Sequence, residues 1–392
     1  RSLRSNMILR RRLHQSFPLA ATALAVALFA AAVPATAAPP DSTPSVDRDA
    51  PYQVVDRAVN FLRTKGQAPD GSYAAINGPG VTAVVTTAIL RSGRGPNDPV
   101  VAKSLRYLEG FIQPDGGIYR PEGLYRNYET CLAVLCFTEA NRDGRYEKAL
   151  KDADRFLKGM QWDEGENHDP SSDFYGGAGY GSHERPDMSN TQFLLEALVA
   201  VGNGPEDEAI QKALIFVSRC QNLETEHNTT KFASKNPDGG FYYTAAAGGD
   251  SKAGETPNGG LRSYASMTYA GLKSMIYAGV GPDDPRVKAA FEWIRKHYDL
   301  KSNPGMGDQG LYYYYHTFAK ALDAMGVDVI EGPDGTKHDW RRELREELSK
   351  RQRPDGSWIN ESSRWLEGDP SLVTGYALLA LSYCRPAAAP EQ

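Results

Sequence analysis

The sequence predicts an all-α fold, an (α/α)6 toroid of six helix-pair repeats, and three observations carry that expectation. A short motif recurs along the chain, best formed in Gln352-Arg-Pro-Asp-Gly-Ser-Trp358 and nearly as well in Gln67-Ala-Pro-Asp-Gly-Ser-Tyr73 and Gln113-Pro-Asp-Gly-Gly-Ile-Tyr119. Pro237-Asp-Gly-Gly-Phe-Tyr242 lacks only a nearby Gln, and degenerate copies stand at Gln161-Trp-Asp-Glu-Gly165, ahead of Tyr175, and at Asp308-Gln-Gly-Leu-Tyr312. Self-similarity at a period of roughly 45 to 65 residues means one supersecondary unit stacked several times. Second, threonines keep a fixed register: Thr82, Thr191 and Thr268 each lie eleven residues before a glycine (Gly93, Gly202, Gly279), and Thr130 lies eleven before Asn141. Gly, or Asn in its place, suits a left-handed helix end. Thr374 keeps the offset to Arg385, whereas Thr317 departs, with Gly326 nine residues on. Third, two kinds of helix alternate, amphipathic and almost wholly apolar.

The first helices of the units, around Leu105–Leu108, Ala153–Leu157, Ala213–Val217, Ala289–Ile294 and Leu344–Leu348, carry charged faces and belong in an outer layer. The second helices, such as Cys131-Leu-Ala-Val-Leu-Cys136 and Gly375-Tyr-Ala-Leu-Leu-Ala-Leu381, are apolar all round and belong inside. Matching turns at Gly95-Pro-Asn-Asp-Pro99, Gly204-Pro-Glu-Asp207 and Gly281-Pro-Asp-Asp-Pro285 place an acidic or Asn cap before the next outer helix, with Pro in its first turn in two of them. Closing outer-inner pairs into a ring puts the starts of the inner helices around a central cavity. The Gly- and polar-rich stretch 222–260 reads as an insert over one end.

The expected domains are a signal peptide over 1–37, a flexible Pro- and Ser-rich linker over 38–51, the toroid over 52–385 and a disordered tail over 386–392. Arg10-Arg11-Arg12, the apolar run Phe17–Val33 and the small-residue site Ala35-Thr36-Ala37 form the signal pattern, with Met7 as the expected start. The run is short of the ~20 residues a spanning helix needs, so no strong membrane anchor is expected once it is removed. Its removal takes five Arg and no acid, leaving 39 basic against 49 acidic groups, a balance of −10. An acidic mature chain argues against nucleic acid or anionic membrane surfaces as partners, and the signal pattern predicts export to the periplasm or beyond. The four cysteines fall within or at the ends of apolar helices and read as buried thiols, although an exported chain leaves pairing open.

These repeats on paired helices resemble the terpene cyclase and protein prenyltransferase α/α-toroid superfamily, most closely the bacterial squalene-cyclase-like proteins, over about residues 52 to 385. In that family the motif's Gln and aromatic tie neighbouring helices together, so the motif implies architecture. The family's protonating motif, Asp-x-Asp-Asp-Thr, is matched by Asp187-Met188-Ser189-Asn190-Thr191. The proton-delivering Asp is replaced by Ser189 and its partner by Asn190, and a neutral hydroxyl cannot protonate an alkene. The resemblance therefore implies cyclase chemistry only if Asp187 or Glu129 acts as the acid. The prenyltransferase zinc site is not matched, since Tyr315-His316-Thr317 supplies one His and Gly260–Thr268 neither Asp nor Cys. The Asp-Asp-x-x-Asp magnesium motif and the Gly-Cys-Gly-Glu-Gln thioester are also missing, so no cofactor and no metal are expected.

If the threonines mark one ring, Glu129, Asn190 and His316 stand one residue before three of them, and Arg126, Asp187, Tyr264 and Tyr313 four before four of them. Asp187, Glu129 and His316 are the catalytic candidates; Arg126, Tyr128, Ser189, Asn190, Tyr264, Tyr313 and Tyr315 are the ligand-binding candidates. Against this stands the alternative that these residues cap inner helices or pair together, Arg126 with Asp187 for instance. Four consecutive tyrosines, Tyr312–Tyr315, point four ways on a helix, and at least one should face the cavity. The acidic loop Asp163–Asp169 has oxygens enough for calcium but not the spacing, and reads first as solvated. His183–Glu184 is a weaker pair beside Asp187. Three functions stay open: a cyclase-like enzyme on a non-phosphorylated polyprene, a silent toroid binding an apolar molecule or an envelope partner, and a toroid carbohydrate lyase or hydrolase using Glu129 and Asp187.

Overall fold

The computed structural model describes residues 50–181 and 185–384. The expected signal peptide, residues 38–49 of the linker, His183 and Glu184, Arg385 and the tail lie outside the described residues. Among the described residues twelve α-helices run in outer-inner order: α1 (Ala50–Phe61, extended by a wide turn over Leu62–Gly66), α2 (Gly80–Arg91), α3 (Pro99–Glu109), α4 (Arg126–Ala140), α5 (Glu147–Lys158), α6 (Met188–Ala200), α7 (Glu208–Arg219), α8 (Ala265–Tyr277), α9 (Pro285–Lys296), α10 (Leu311–Met325), α11 (Trp340–Arg351) and α12 (Pro370–Ser382). The one sheet among the described residues is an antiparallel hairpin, β1 (Val329–Glu331) and β2 (Lys337–Asp339), which the sequence reading did not anticipate.

Even-numbered helices pack in sequence, α2 on α4 through to α10 on α12, and α12 packs back on α2, which closes the ring. Their all-round burial follows from their apolar composition; every residue of α12 from Ser371 to Leu381 is buried. Odd-numbered helices bury a single stripe, as α5 does with Leu150, Ala153 and Leu157. Asp98, Asp207 and Asp284 accept the amides of Val100, Ala209 and Arg286, with Pro99 and Pro285 in the first turn. Gly93, Gly202 and Gly279 end α2, α6 and α8 at φ of +96°, +100° and +81°. Asn141 corrects the expectation: its φ is −80°, and its side chain instead accepts the amide of Tyr146.

The motif is the joint between units. Its Asp accepts an amide two residues on, as Asp355 does from Ser357, which closes the tight turn. The Gln amide of Gln67, Gln161, Gln221 and Gln352 donates to a carbonyl in the first turns of the next outer helix, at Val100, Ala209, Arg286 and, around the ring, Val54. Gln221 is the Gln thought missing from the fourth copy; the insert separates it from Pro237. Gly356 (φ +91°) lies so close to Arg57 of α1 that a β-carbon would collide with its carbonyl. Five register threonines reach back to an amide in the motif turn: Thr82 to Tyr73, Thr130 to Ile118, Thr268 to Phe241 and Thr374 to Trp358, at or next to the aromatic, and Thr191 to Ala178, three residues past Tyr175.

The fifth unit departs. Asp308–Tyr312 is no motif copy but the lead into α10, and Thr317 bonds the Tyr313 carbonyl of its own helix. The tie to the preceding loop is made by Tyr314 and Tyr315, whose hydroxyls donate to the carbonyls of Asp299 and Leu300. All four cysteines are buried free thiols.

Candidate functional site

All six inner helices start at one end of the ring, and there they enclose a cavity of about 480 Å³, within the size range of small-molecule sites. Its wall is aromatic. Tyr128 meets Tyr180 and Phe193 edge-on, Phe193 meets Tyr313, and Tyr313 meets Tyr376, with ring centres 5.5 to 6.2 Å apart. Tyr243, from the insert, and Tyr264 complete it, and Met267, Val81 and Leu372 fill the gaps. The Tyr313 hydroxyl is held by Ser189 at 3.1 Å and Gln192 at 3.2 Å. At the mouth stand Ile76, Tyr125, Trp365 and Leu366, all exposed, with Arg120 and Lys252 beside them.

Three carboxyls line this space: Glu122, which is exposed, and two that are buried. Glu129, on the first turn of α4, is buried, and burial raises its pKa to about 7 against the opposing effects of the Arg120 amide and guanidinium. Its Oε2 accepts the Arg120 backbone N–H at 2.8 Å. Glu367 is buried in the loop before α12 and accepts the amides of Tyr312 and Tyr313, at the start of α10, and the Asn360 side chain. Burial raises its pKa too, but its oxygens are committed to capping a helix whose own N-cap residue is Gly310.

Of the residues expected from sequence, Glu129, Tyr128, Ser189, Tyr264 and Tyr313 line the cavity together. The others do not. Asp187 is the N-cap of α6, with Oδ1 on the Asn190 amide and Oδ2 on the Asn190 side chain, behind the wall rather than in it. Its pKa is raised to about 6, by burial first. Asn190 Nδ2 is spent on that bond, and its buried Oδ1 has no partner among the described residues. Arg126 is exposed, lies 5.2 Å from the Tyr119 ring centre and does not pair with Asp187. Tyr315 points to Leu300.

His316 is at a different place, because Thr317 is the seventh residue of α10 whereas the other register threonines are third to fifth in theirs. At 1.5 Å per residue that sets His316 deeper in the barrel. It lines a void of about 20 Å³, room for one water, on the far side of Val84, Phe193 and Tyr376. Around it Glu196 accepts from both Lys273 and Lys320, and Arg91 pairs with Glu139 at 2.6 Å. His316 Nδ1 has no partner among the described residues, and burial, then Lys320, Lys273 and Arg91, hold the ring well below its ordinary pKa.

The sequence reading missed Tyr180, Phe193, Tyr243, Tyr376 and Glu367. Phe193 and Tyr376 carried a signal, each standing two residues after a register threonine. Tyr180, Tyr243 and Glu367 lie in loops of unequal length, where the register says nothing. In the acidic loop Asp163 and Glu164 pair with Lys212, and no group of residues suited to a metal occurs among the described residues. No helix there is long and apolar enough to cross a membrane.

No protein-family model and no curated protein matches the chain. Among solved structures it is similar to the type II terpene cyclase MstE from Scytonema, at 13% identity and a TM-score of 0.49 over 85% of this chain and 97% of that one. It is also similar to a protein from Actinoplanes, at 15% identity and a TM-score of 0.48 over 85% and 99%. A variant of MstE in complex with geranylgeranyl dihydroxybenzoate aligns at 14% identity and a TM-score of 0.32 over 86% and 97%. The toroid itself stands on the closed ring of helices in this chain.

Proposed function

We propose that the protein takes an apolar, isoprenoid-like chain into the aromatic cavity and that Glu129 is the acid that protonates it. The observation behind this reading is a buried carboxyl, with its pKa at about 7, opening into a space walled by tyrosine and phenylalanine rings. A carboxylic acid is the proton source that alkene chemistry needs, and Ser189, at the position of the family's acid, is not one. The O–H bond of Glu129 breaks as a C–H bond forms at one alkene carbon, leaving a cation on its neighbour. Ring faces stabilise that cation by their negative potential. A second double bond of the chain attacks it, and a proton lost from an adjacent carbon returns to the Glu129 carboxylate, so the net reaction is an isomerisation. The Arg120 N–H stabilises the carboxylate in the interval.

The proposal includes export, on the strength of the Arg10–Arg12 cluster, the apolar run to Val33 and Ala35–Ala37. The test is incubation with squalene and geranylgeraniol in deuterated water, with products read by mass spectrometry. A deuterium-bearing cyclised product whose rate falls about 10² to 10⁴ in Glu129→Gln supports the reading. Equal conversion in that variant, or neither conversion nor binding of any polyprene, overturns it.

A further inference from the structure

We infer that Arg120 and Gly78 are positioning residues for Glu129, which together fix its proton on Oε1 on the open side of the cavity. The inference rests on the reading of Glu129 as the cavity's acid and concerns how that acid is held.

Three observations meet at this carboxyl. Oε2 accepts the Arg120 backbone N–H at 2.8 Å, and an oxygen committed as acceptor is the carbonyl oxygen of a neutral carboxyl. The proton is thereby left to Oε1, which makes no hydrogen bond to the protein among the described residues. Oε1 in turn lies against Gly78, so close that a β-carbon there would overlap it, and Gly78 has a φ of +86°, a conformation that side chains resist. The turn carrying Gly78 is itself held by Arg120: the guanidinium donates to the carbonyls of Ala75 at 2.5 Å and Ile76 at 3.2 Å. Ala74, at φ +46°, begins that turn, and Ile76 at its tip is 87% exposed, so the turn has little packing of its own to hold it. One residue thus grips the acid with its main chain and the facing wall with its side chain. The charged and titratable groups that act on Glu129 most directly are Arg120 itself, Tyr128 on α4 and Tyr107 on α3, and Glu122, Glu367 and Lys252 line the same cavity.

The test is the titration of Glu129 in the full chain, followed by carbon NMR of labelled glutamate carboxyls and assigned by Glu129→Gln. Every substitution at 120 other than proline keeps the backbone N–H, so Arg120→Ala removes the grip on the turn together with the guanidinium charge, and Arg120→Lys, which keeps the charge, isolates the grip. Gly78→Ala forces Oε1 away and weakens the bond to Oε2. Both changes remove an effect that favours the carboxylate, so both are expected to raise the midpoint, by a factor of about ten in proton affinity for Gly78→Ala, with Arg120→Lys closer to wild type than Arg120→Ala. Midpoints equal to wild type in Gly78→Ala and Arg120→Ala overturn the inference. If either fails to fold by circular dichroism, Arg120→Lys decides alone, since it keeps the charge and loses the fork: an unmoved midpoint counts against, a raised one for. The titration needs no substrate, so positioning can hold while polyprene conversion fails, and the two readings fall separately.

Discussion

The two halves of the barrel interior are built from the same six helices and do opposite things with polar groups. Around the N-terminal halves the chain leaves a cavity and lines it with rings and two buried carboxyls. Around the C-terminal halves it fills the interior with the buried Glu196, Lys273, Lys320 and His316, with Arg91 beside them paired to the partly exposed Glu139, and leaves room for a single water. Helix direction accounts for the placement of charge. Six N-termini turn their positive ends to the cavity, where carboxyls belong, and six C-termini turn their negative ends to the plug, where lysines belong. A toroid of parallel inner helices therefore has one end suited to acids and one suited to bases. Only the first is left open.

The plug is the place where the comparison breaks most visibly. Glu196→Leu leaves two buried lysines without their carboxylate and is expected to cost about 3 to 5 kcal/mol, read from urea unfolding. Adding Lys273→Met and Lys320→Met should recover most of that; a loss below about 1 kcal/mol in the single variant would mean the lysines are not held by Glu196.

The two ends should also tilt stability with pH in opposite senses. Because burial raises the Glu129 pKa from 4.5 to about 7, the folded state keeps a proton that the unfolded chain gives up. The resulting stability is full below about pH 4.5 and lost as pH rises to 7, on the order of 3 kcal/mol, and Glu129→Gln should remove that slope. His316 works the other way. Its folded pKa lies well below 6.5, so its contribution is present above that pH and lost as pH falls beneath it. His316→Gln should flatten the acid side alone, and a common effect of both substitutions on the same side would refute the division.

Smaller effects sharpen the picture. Gln352→Ala strips the partner from the Val54 and Gly356 carbonyls at the seam between last and first units, at about 1 to 3 kcal/mol. Hydrogen exchange should quicken first in α1. Ser189→Ala removes one of two bonds to the Tyr313 hydroxyl and should cost about 0.5 to 1.5 kcal/mol, with a measurable loss of ligand affinity by calorimetry.

The architecture was legible because the repeat writes the same physical requirement several times. An Asp-Gly turn, a reaching Gln and a back-bonding Thr recur at fixed offsets, and each has a hydrogen-bond job in the structure. Legibility ended where the register ended. His316 was misplaced because Thr317 sits late in α10, and Arg126, Asn190 and Tyr315 because helical spacing does not say which face an inner helix turns to the axis. Asp187 looked like an acid and is a cap; both roles ask for a buried carboxylate at a helix start. Glu367 and Tyr243 come from loops, and no periodicity reaches a loop.

The most direct measurement is lipid analysis by mass spectrometry of the protein as isolated from its native host, wild type beside Ser189→Trp, which fills the cavity from its wall. A polyprene or cyclised product present in wild type and lost from the variant, with the fold intact, is the predicted result. The same lipid in both, or none in either, would contradict the claim that this cavity holds an isoprenoid-like chain.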